Sequence, residues 1–226
     1  MTEYFAEHHR ILVWVHVILA IYWLGPDWGV YVTSKYVARP DLPVAERRRF
    51  LQAALGIDIV PRTCLILMLP FGLLLAGNLG LSPLSRGALA LTWVAFVSWL
   101  LLSWRVHFGA PGGLTEKLRA VDWNIRIVVG ATAIAVALWS LVVSPVFGAP
   151  WLAAKVLGWG VLVYLGLALR KIMSGWAAGF ARLAQEGSNP DTEAVFTGAM
   201  RRARPLAYVF WGVSASLAFL GVVKPF

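Results

Sequence analysis

The chain has 226 residues, of which 59% are hydrophobic and 14% are charged, and its formal net charge is +9. Ordinary soluble domains carry about 45–50% apolar and about 25% charged residues, so this composition excludes that class. Several apolar stretches reach the ~18–20 residues that cross a bilayer, and because they are continuous rather than alternating they exclude a β-barrel. We therefore predict an all-α polytopic membrane helical bundle, with residues 1–226 forming a single integral membrane domain.

Six apolar stretches are predicted to form the spans, separated by polar or Gly- and Pro-containing loops such as "ARPDLPVAERRRF" and "GAPGGLTEKLRAVDWN". The first, third and fifth loops hold nearly all of the loop lysines and arginines. The positive-inside rule places these loops in the cytoplasm and both termini outside, as in a bacterial inner membrane. The predicted spans are residues 10–37, 57–79, 88–108, 125–143, 151–171 and 206–223.

The polar segment before the last span carries the pattern of a helix of its own. In "SNPDTEAVFTGAMRRAR", Asn189 is a candidate N-cap and Pro190 takes the first helical position. Acidic residues in the first turn and arginines at the end match the helix dipole. We predict a short helix at the cytoplasmic surface whose arginines contact anionic lipid head groups rather than nucleic acid. Docking to a partner subunit, or to a second copy of the chain, is the alternative.

Ionisable residues inside spans are costly, so each marks a candidate functional site. At about 1.5 Å per residue, His16 lies about 9 Å below the outer surface and Lys155 lies about 6 Å below it. His9 precedes His16 by seven residues and shares its helical face. We predict that His16 binds haem iron or a metal, with copper held by His16 and His9 as one form of this site. Alternatively, His16 is a neutral imidazole bonded to a carbonyl or hydroxyl, and Lys155 snorkels to the head groups.

A second polar cluster is predicted near the cytoplasmic side of the spans. Asp27 and Arg62 are expected to pair as the most buried charges, and Pro26 frees a backbone carbonyl beside them. Such a pocket suits a head group or a proton path, although an Asp58–Arg62 ion pair that only fixes helix register is the simpler interpretation. The predicted cluster consists of Asp27, Asp58, Arg62, His107, Asp122 and Arg126.

The first span contains the pattern H-x6-W-x-G, formed by His16, Trp23 and Gly25. This pattern resembles the first span of the CopD-type copper-resistance membrane proteins and of the membrane-bound urate oxidases, and is similar to that of the HemJ-type protoporphyrinogen oxidases. The basic stretch "ERRRFLQAALGI" before the second span and Lys155 near the start of a late span extend the resemblance. It implies a helical bundle that binds haem b or a metal at His16, with Trp23 and Lys155 at the cofactor site.

These features lead to three functional hypotheses. The first is a haem- or metal-binding membrane protein with a redox or electron-transfer role, in which a membrane quinone or a partner subunit exchanges electrons with the cofactor. The second is a transporter or channel for a small solute that uses the inner charged cluster. The third is a structural subunit of a larger membrane complex, for which the many glycines and alanines would provide close helix packing. The chain contains no P-loop, nucleophile elbow or HExxH motif, so soluble-type enzyme chemistry has no support in the sequence.

Overall fold

The computed structural model describes the backbone of residues 2–226 and the side chains of residues 8–226. Seven helices form this part of the chain, and six of its helices are long and apolar enough to cross a membrane. The prediction of an all-α polytopic membrane bundle is therefore confirmed. In chain order the helices are α1 (Thr2–Val37), α2 (Val44–Asn78), α3 (Arg86–Phe108), α4 (Gly113–Val142), α5 (Pro150–Met173), α6 (Trp176–Glu186) and α7 (Pro190–Val223).

The long helices form a closed ring. Consecutive helices pack together from α1 to α5, and α7 packs against both α5 and α1. α2 also contacts α5 across the centre of the ring. We name the two ends of this bundle after residues that lie there. The His16 end is where α1 and α5 begin and where α2 and α7 end, and the Asp122 end is the opposite one.

The core lies where α2 and α5 meet. Ile66 of α2 and Leu162 of α5 are fully buried there. The Trp159 Nε1 atom donates a hydrogen bond of 2.9 Å to the Leu65 carbonyl oxygen, which ties the two central helices together. Gly160 lets α5 approach α4 closely, because a Cβ atom at this position would lie 3.0 Å from the carbonyl oxygen of Gly130. Small residues at such crossings allow van der Waals packing between membrane helices.

Three helices, α2, α4 and α7, begin well before their predicted spans; α4 begins at Gly113 rather than at residue 125. The second span was expected to begin at residue 57, but α2 begins at Val44, and the stretch predicted as a polar loop forms its first turns. The last span was expected to begin at residue 206, but α7 begins at Pro190. An apolar run marks only the part of a helix that lies in hydrocarbon, whereas the helical turns outside it are polar and do not register as a span.

The prediction of a short surface helix places its start correctly but its end wrongly. Asn189 caps the helix through its side chain, which accepts from the backbone amides of Asp191 and Thr192, and Pro190 is the first helical residue. The helix does not end before the last span but continues through Pro205 as α7. The short helix of this region is instead α6, which buries Trp176 and Phe180 against the start of α7.

Arg47, in the first turn of α2, is fully buried at the Asp122 end. Its guanidinium donates two hydrogen bonds of 2.9 Å to the carboxylate of Glu193 on α7 and one of 2.8 Å to the Val37 carbonyl oxygen. It also lies 4.6 Å from the ring centroid of Phe196. This fork-shaped pairing holds the starts of α2 and α7 and the end of α1 in one position.

Candidate functional site

The His16 end holds an imidazole without a protein partner. His16 is half-buried on α1, and its Nδ1 atom is fully buried and has no hydrogen-bond partner among the described residues. Gly72 of α2 faces the ring, because a Cβ atom there would lie 3.4 Å from His16 Cε1. The carbonyl or hydroxyl partner of the simpler interpretation is therefore not found at Nδ1 among the described residues.

Lys155 of α5 lies near His16, close enough for the charges of the two side chains to interact. Its Nζ atom rests against Gly221 of α7, where a Cβ atom would lie 2.5 Å from the nitrogen. Lys155 is half-buried, and within residues 8–226 it forms neither an ion pair nor a hydrogen bond. The structure therefore brings together the first-span histidine and the late-span lysine that the sequence placed at one level.

The other residues predicted for this site are more distant or have other contacts. Trp23, two turns along α1 from His16, is buried in the core and packs edge-to-face on Phe210 with ring centroids 5.9 Å apart. His9 is half-buried on the preceding turns of α1. Within residues 8–226, no three His, Cys, Asp or Glu side chains converge on a metal-sized site. The geometry therefore adds no support for copper held by His16 and His9.

At the Asp122 end, a buried ion-pair network joins α3, α4 and α5. The Asp122 carboxylate accepts hydrogen bonds from Trp99 Nε1 at 2.9 Å, from Arg126 Nε and Nη2 at 2.9 and 3.1 Å, and from Arg170 Nη1 at 3.1 Å. Arg126 also donates to Ser103 Oγ at 3.2 Å. The side chains of Asp122 and Arg126 are only 2% and 4% exposed, so this pair is shielded from the surroundings, whereas the Arg170 side chain is 25% exposed.

The remaining members of the predicted inner cluster surround this network. Arg62 pairs with Asp58 one turn earlier on α2, and both lie within electrostatic range of Arg170. His107, at the end of α3, interacts with the same pair. The predicted Asp27–Arg62 pair is wrong. Asp27 instead accepts a hydrogen bond of 2.9 Å from Trp211 Nε1, which joins α1 to α7.

Several contributors to the network were missed from the sequence. Arg170 precedes Lys171 in the last turn of α5 and looks like an ordinary interfacial base. Trp99 is one of twelve tryptophans, and its indole is buried and donates to a carboxylate. Trp99 and Ser103 are four residues apart on α3, so their side chains lie on the same face of that helix. This spacing is the one sequence signal that links them to each other.

An apolar groove opens on the side of the bundle next to this network. It has a volume of about 550 Å³ and lies between α1, α2 and α3. Trp104 crosses one part of it, where the indole nitrogen donates to Thr63 Oγ1 at 2.9 Å. The lining residues are Ile18, Leu19, Tyr22, Ile59, Val60, Thr63, Cys64, Trp104 and Phe108.

Comparison with known proteins yields no relative. No protein-family model, no curated protein and no solved structure matches the chain. Function is therefore inferred from two places in this fold. One is the unpartnered His16 with Lys155, and the other is the paired network around Asp122.

Proposed function

We propose that the protein is a membrane redox protein that binds haem b through His16. The observation that carries the proposal is the buried Nδ1 atom of His16, which has no protein partner among the described residues. A buried polar atom left unsatisfied costs about 1–3 kcal/mol, and the hydrocarbon interior offers no water to relieve it. A group that reaches Nδ1 would remove this cost, whereas iron bound at Nε2 would leave Nδ1 in need of a hydrogen-bond partner. The H-x6-W-x-G pattern, by its resemblance to haem- and metal-binding membrane proteins, points to the same histidine.

The chain's own residues would hold such a group as follows. His16 would supply an imidazole ligand, and Gly72 keeps a side chain away from the edge of that ring. Trp23 packs α1 against α7 through its edge-to-face contact with Phe210. When bound, haem b supplies one-electron chemistry at its iron, tuned by the axial ligand and the burial of the site. A membrane quinone remains our proposal for the electron-exchange partner, and the lateral apolar groove is where its tail would fit.

The test is the reduced-minus-oxidised absorption spectrum of protein purified from cells supplied with a haem precursor, together with quantification of bound haem and metals. We expect a haem b spectrum in the wild type and its loss in His16→Ala. The matched control is His107→Ala, because His107 lies at the opposite end of the bundle and should leave the spectrum unchanged. A wild-type preparation that contains neither haem nor metal would refute the proposal.

A second candidate function is transport of protons or of a small solute past the Asp122 end. The observation in its favour is the concentration of charge inside the bundle, since intramembrane ionisable residues often line ion and substrate pathways. Asp27 is its most suitable titrating group, because it is bonded to a neutral indole rather than to an arginine. Transport predicts proton uptake into liposomes that Asp27→Asn abolishes and His16→Ala preserves. Uptake equal to that of protein-free liposomes argues against it.

A further inference from the structure

We propose that the surface where α1 meets α7, at the Asp122 end, binds an anionic phospholipid of the surrounding membrane. We call this surface the α1–α7 seam. It consists of three pairs of side chains, each with one residue from α1 and one from α7. In order from the Asp122 end inward, the pairs are Lys35 with Arg204, Tyr31 with Tyr208, and Trp28 with Trp211. The seam lies at the opposite end of the bundle from His16 and requires no haem.

Four aromatic rings join the two helices in this seam. The ring centroids of Trp28 and Trp211 lie 4.3 Å apart, and those of Tyr31 and Trp211 lie 5.2 Å apart in an edge-to-face contact. The ring centroids of Tyr31 and Tyr208 lie 6.3 Å apart, which places the two phenols side by side, one turn nearer the Asp122 end than the indoles. Trp28 and Tyr208 are 53% and 49% exposed, so the cluster faces the outside of the bundle rather than its core.

Two cations lie over the outer end of this aromatic cluster. The Lys35 Nζ atom is 6.0 Å from the Tyr31 ring centroid, and the Arg204 guanidinium carbon is 5.7 Å from the Tyr208 ring centroid. Both basic residues are exposed, and neither forms a salt bridge with a carboxylate of residues 8–226. Two positive charges therefore lie one turn outside the two phenols, and among the described residues no carboxylate is paired with them.

The order of these three layers matches the order of polarity along a phospholipid. Ammonium and guanidinium groups bind phosphate oxygens through charge-assisted hydrogen bonds. One turn deeper, about 5 Å along the helices, the phenol hydroxyls can donate to the phosphate or to the ester carbonyls of the lipid. Indoles prefer the boundary between head groups and hydrocarbon, so the innermost pair lies beside the first carbons of the acyl chains. One lipid molecule can therefore contact all three layers.

The charge of the seam favours an anionic lipid over a zwitterionic one. Aromatic rings can bind a quaternary ammonium group such as choline through cation–π contacts. In this seam, however, the two tyrosine rings already lie beside the chain's own cations, Lys35 and Arg204, which repel a third positive charge. Basic residues at a membrane surface attract anionic lipids, and a head group without a positive charge meets no such repulsion.

The experiment measures lipid binding to the purified full chain in detergent by native mass spectrometry. The probes are phosphatidylglycerol and phosphatidylcholine with the same acyl chains. We expect the wild type to bind phosphatidylglycerol about tenfold more tightly, because two cations attract its head group. Replacing both cations, by Lys35→Gln with Arg204→Gln, should abolish this preference. The matched control, Lys117→Gln with Arg119→Gln, removes the same two charges from exposed positions on α4, which packs against α3 and α5 rather than at the seam, and should keep the preference.

A second variant tests the phenols without changing any charge. Tyr31→Phe with Tyr208→Phe keeps the rings and both cations but removes the hydroxyls, and it should bind phosphatidylglycerol about threefold more weakly than the wild type. Because a lipid in the seam bridges the two helices that close the ring, phosphatidylglycerol should also raise the thermal unfolding temperature of the wild type. It should not raise that of the variant without the two cations.

Three results would overturn the proposal. The first is equal affinity of the wild type for the two lipids. The second is an equal loss of preference in the seam variant and in the α4 control, which would show diffuse attraction to the basic end of the bundle. The third is displacement of phosphatidylglycerol by an equal concentration of glycerol 3-phosphate, which carries the phosphate but no acyl chains and would identify a free phosphate as the ligand.

Discussion

Replacing Asp122 by asparagine tests whether the buried network holds the Asp122 end together. The Asp122 carboxylate is the shared anionic partner of Arg126 and Arg170 and accepts from Trp99, all within 3.1 Å. The asparagine side chain carries no negative charge, and its NH2 group faces at least one of these hydrogen-bond donors. Removing one partner of a buried ion pair costs about 3–5 kcal/mol, because the other charge stays buried. We expect Asp122→Asn to lower the free energy of unfolding by that amount.

The assay is SDS-induced unfolding in mixed micelles, followed by far-UV circular dichroism. The matched control is Asp41→Asn, which removes the same charge from a carboxylate that pairs with Arg39 in the exposed loop after α1. The Arg39 guanidinium lowers the pKa of Asp41, but a fully exposed pair adds little stability, so this variant should unfold like the wild type. Equal unfolding of Asp122→Asn and Asp41→Asn would refute the reasoning. The Soret band of Asp122→Asn should match that of the wild type, because the proposed haem site lies at the other end.

Three further predictions concern packing and orientation. Arg47→Gln should lower the free energy of unfolding by about 3–5 kcal/mol, because it leaves the Glu193 carboxylate without its cationic partner. The control Arg49→Gln, at an exposed position, should change the free energy of unfolding by less than about 0.5 kcal/mol. Gly160→Ala should lower the free energy of unfolding by about 1–3 kcal/mol, because the added methyl group meets the α4 backbone. Gly166→Ala, which has open space around it, should raise the free energy of unfolding by up to about 1 kcal/mol. Thermal unfolding in detergent measures both pairs. Alkaline phosphatase fused after the last residue should be active in bacterial cells if the termini face the periplasm. The fusion should be inactive if the arginine-rich loops face the periplasm instead.

Sequence reasoning located the spanning helices and most of their boundaries, but it missed the polar starts of α2, α4 and α7. Apolar runs identify hydrocarbon-facing turns because transfer into lipid depends on side-chain polarity. The first turns of α2 and α7 are polar, and they are held as helices by long-range contacts, chiefly Arg47 with Glu193, 146 residues apart in the chain. A contact of that sequence separation leaves no local pattern. The Asn189 cap was predictable because the residues that form it are adjacent.

For the polar residues, helical rise gave depth but not direction around the helix axis. Asp27 and Arg62 share a level, yet each side chain bonds a different partner. The i,i+4 spacing of Asp58 with Arg62, and of Asp122 with Arg126, is a local signal that predicts the observed pairs better than depth does. Arg170 reaches Asp122 from another helix, and its part in the network depends on how α4 and α5 pack, which neither composition nor spacing contains.

The contrast between the two ends of the bundle explains why the ligand is placed at His16. Lys155 and Arg170 lie on the same helix, fifteen residues and about 22 Å apart. Arg170 bonds a carboxylate that also binds Arg126, so it has an anionic partner within the chain, although one carboxylate serves two guanidiniums. Lys155 and the buried nitrogen of His16 have no such partners among the described residues, and towards the Asp122 end Arg62 Nε and Trp176 Nε1 are also buried without a partner. Charges that are paired within the fold stabilise it, whereas polar groups buried without partners lower its stability unless something else binds them. On this ground the paired residues around Asp122 are structural first, and a group that reached His16 Nδ1 would stabilise the His16 end.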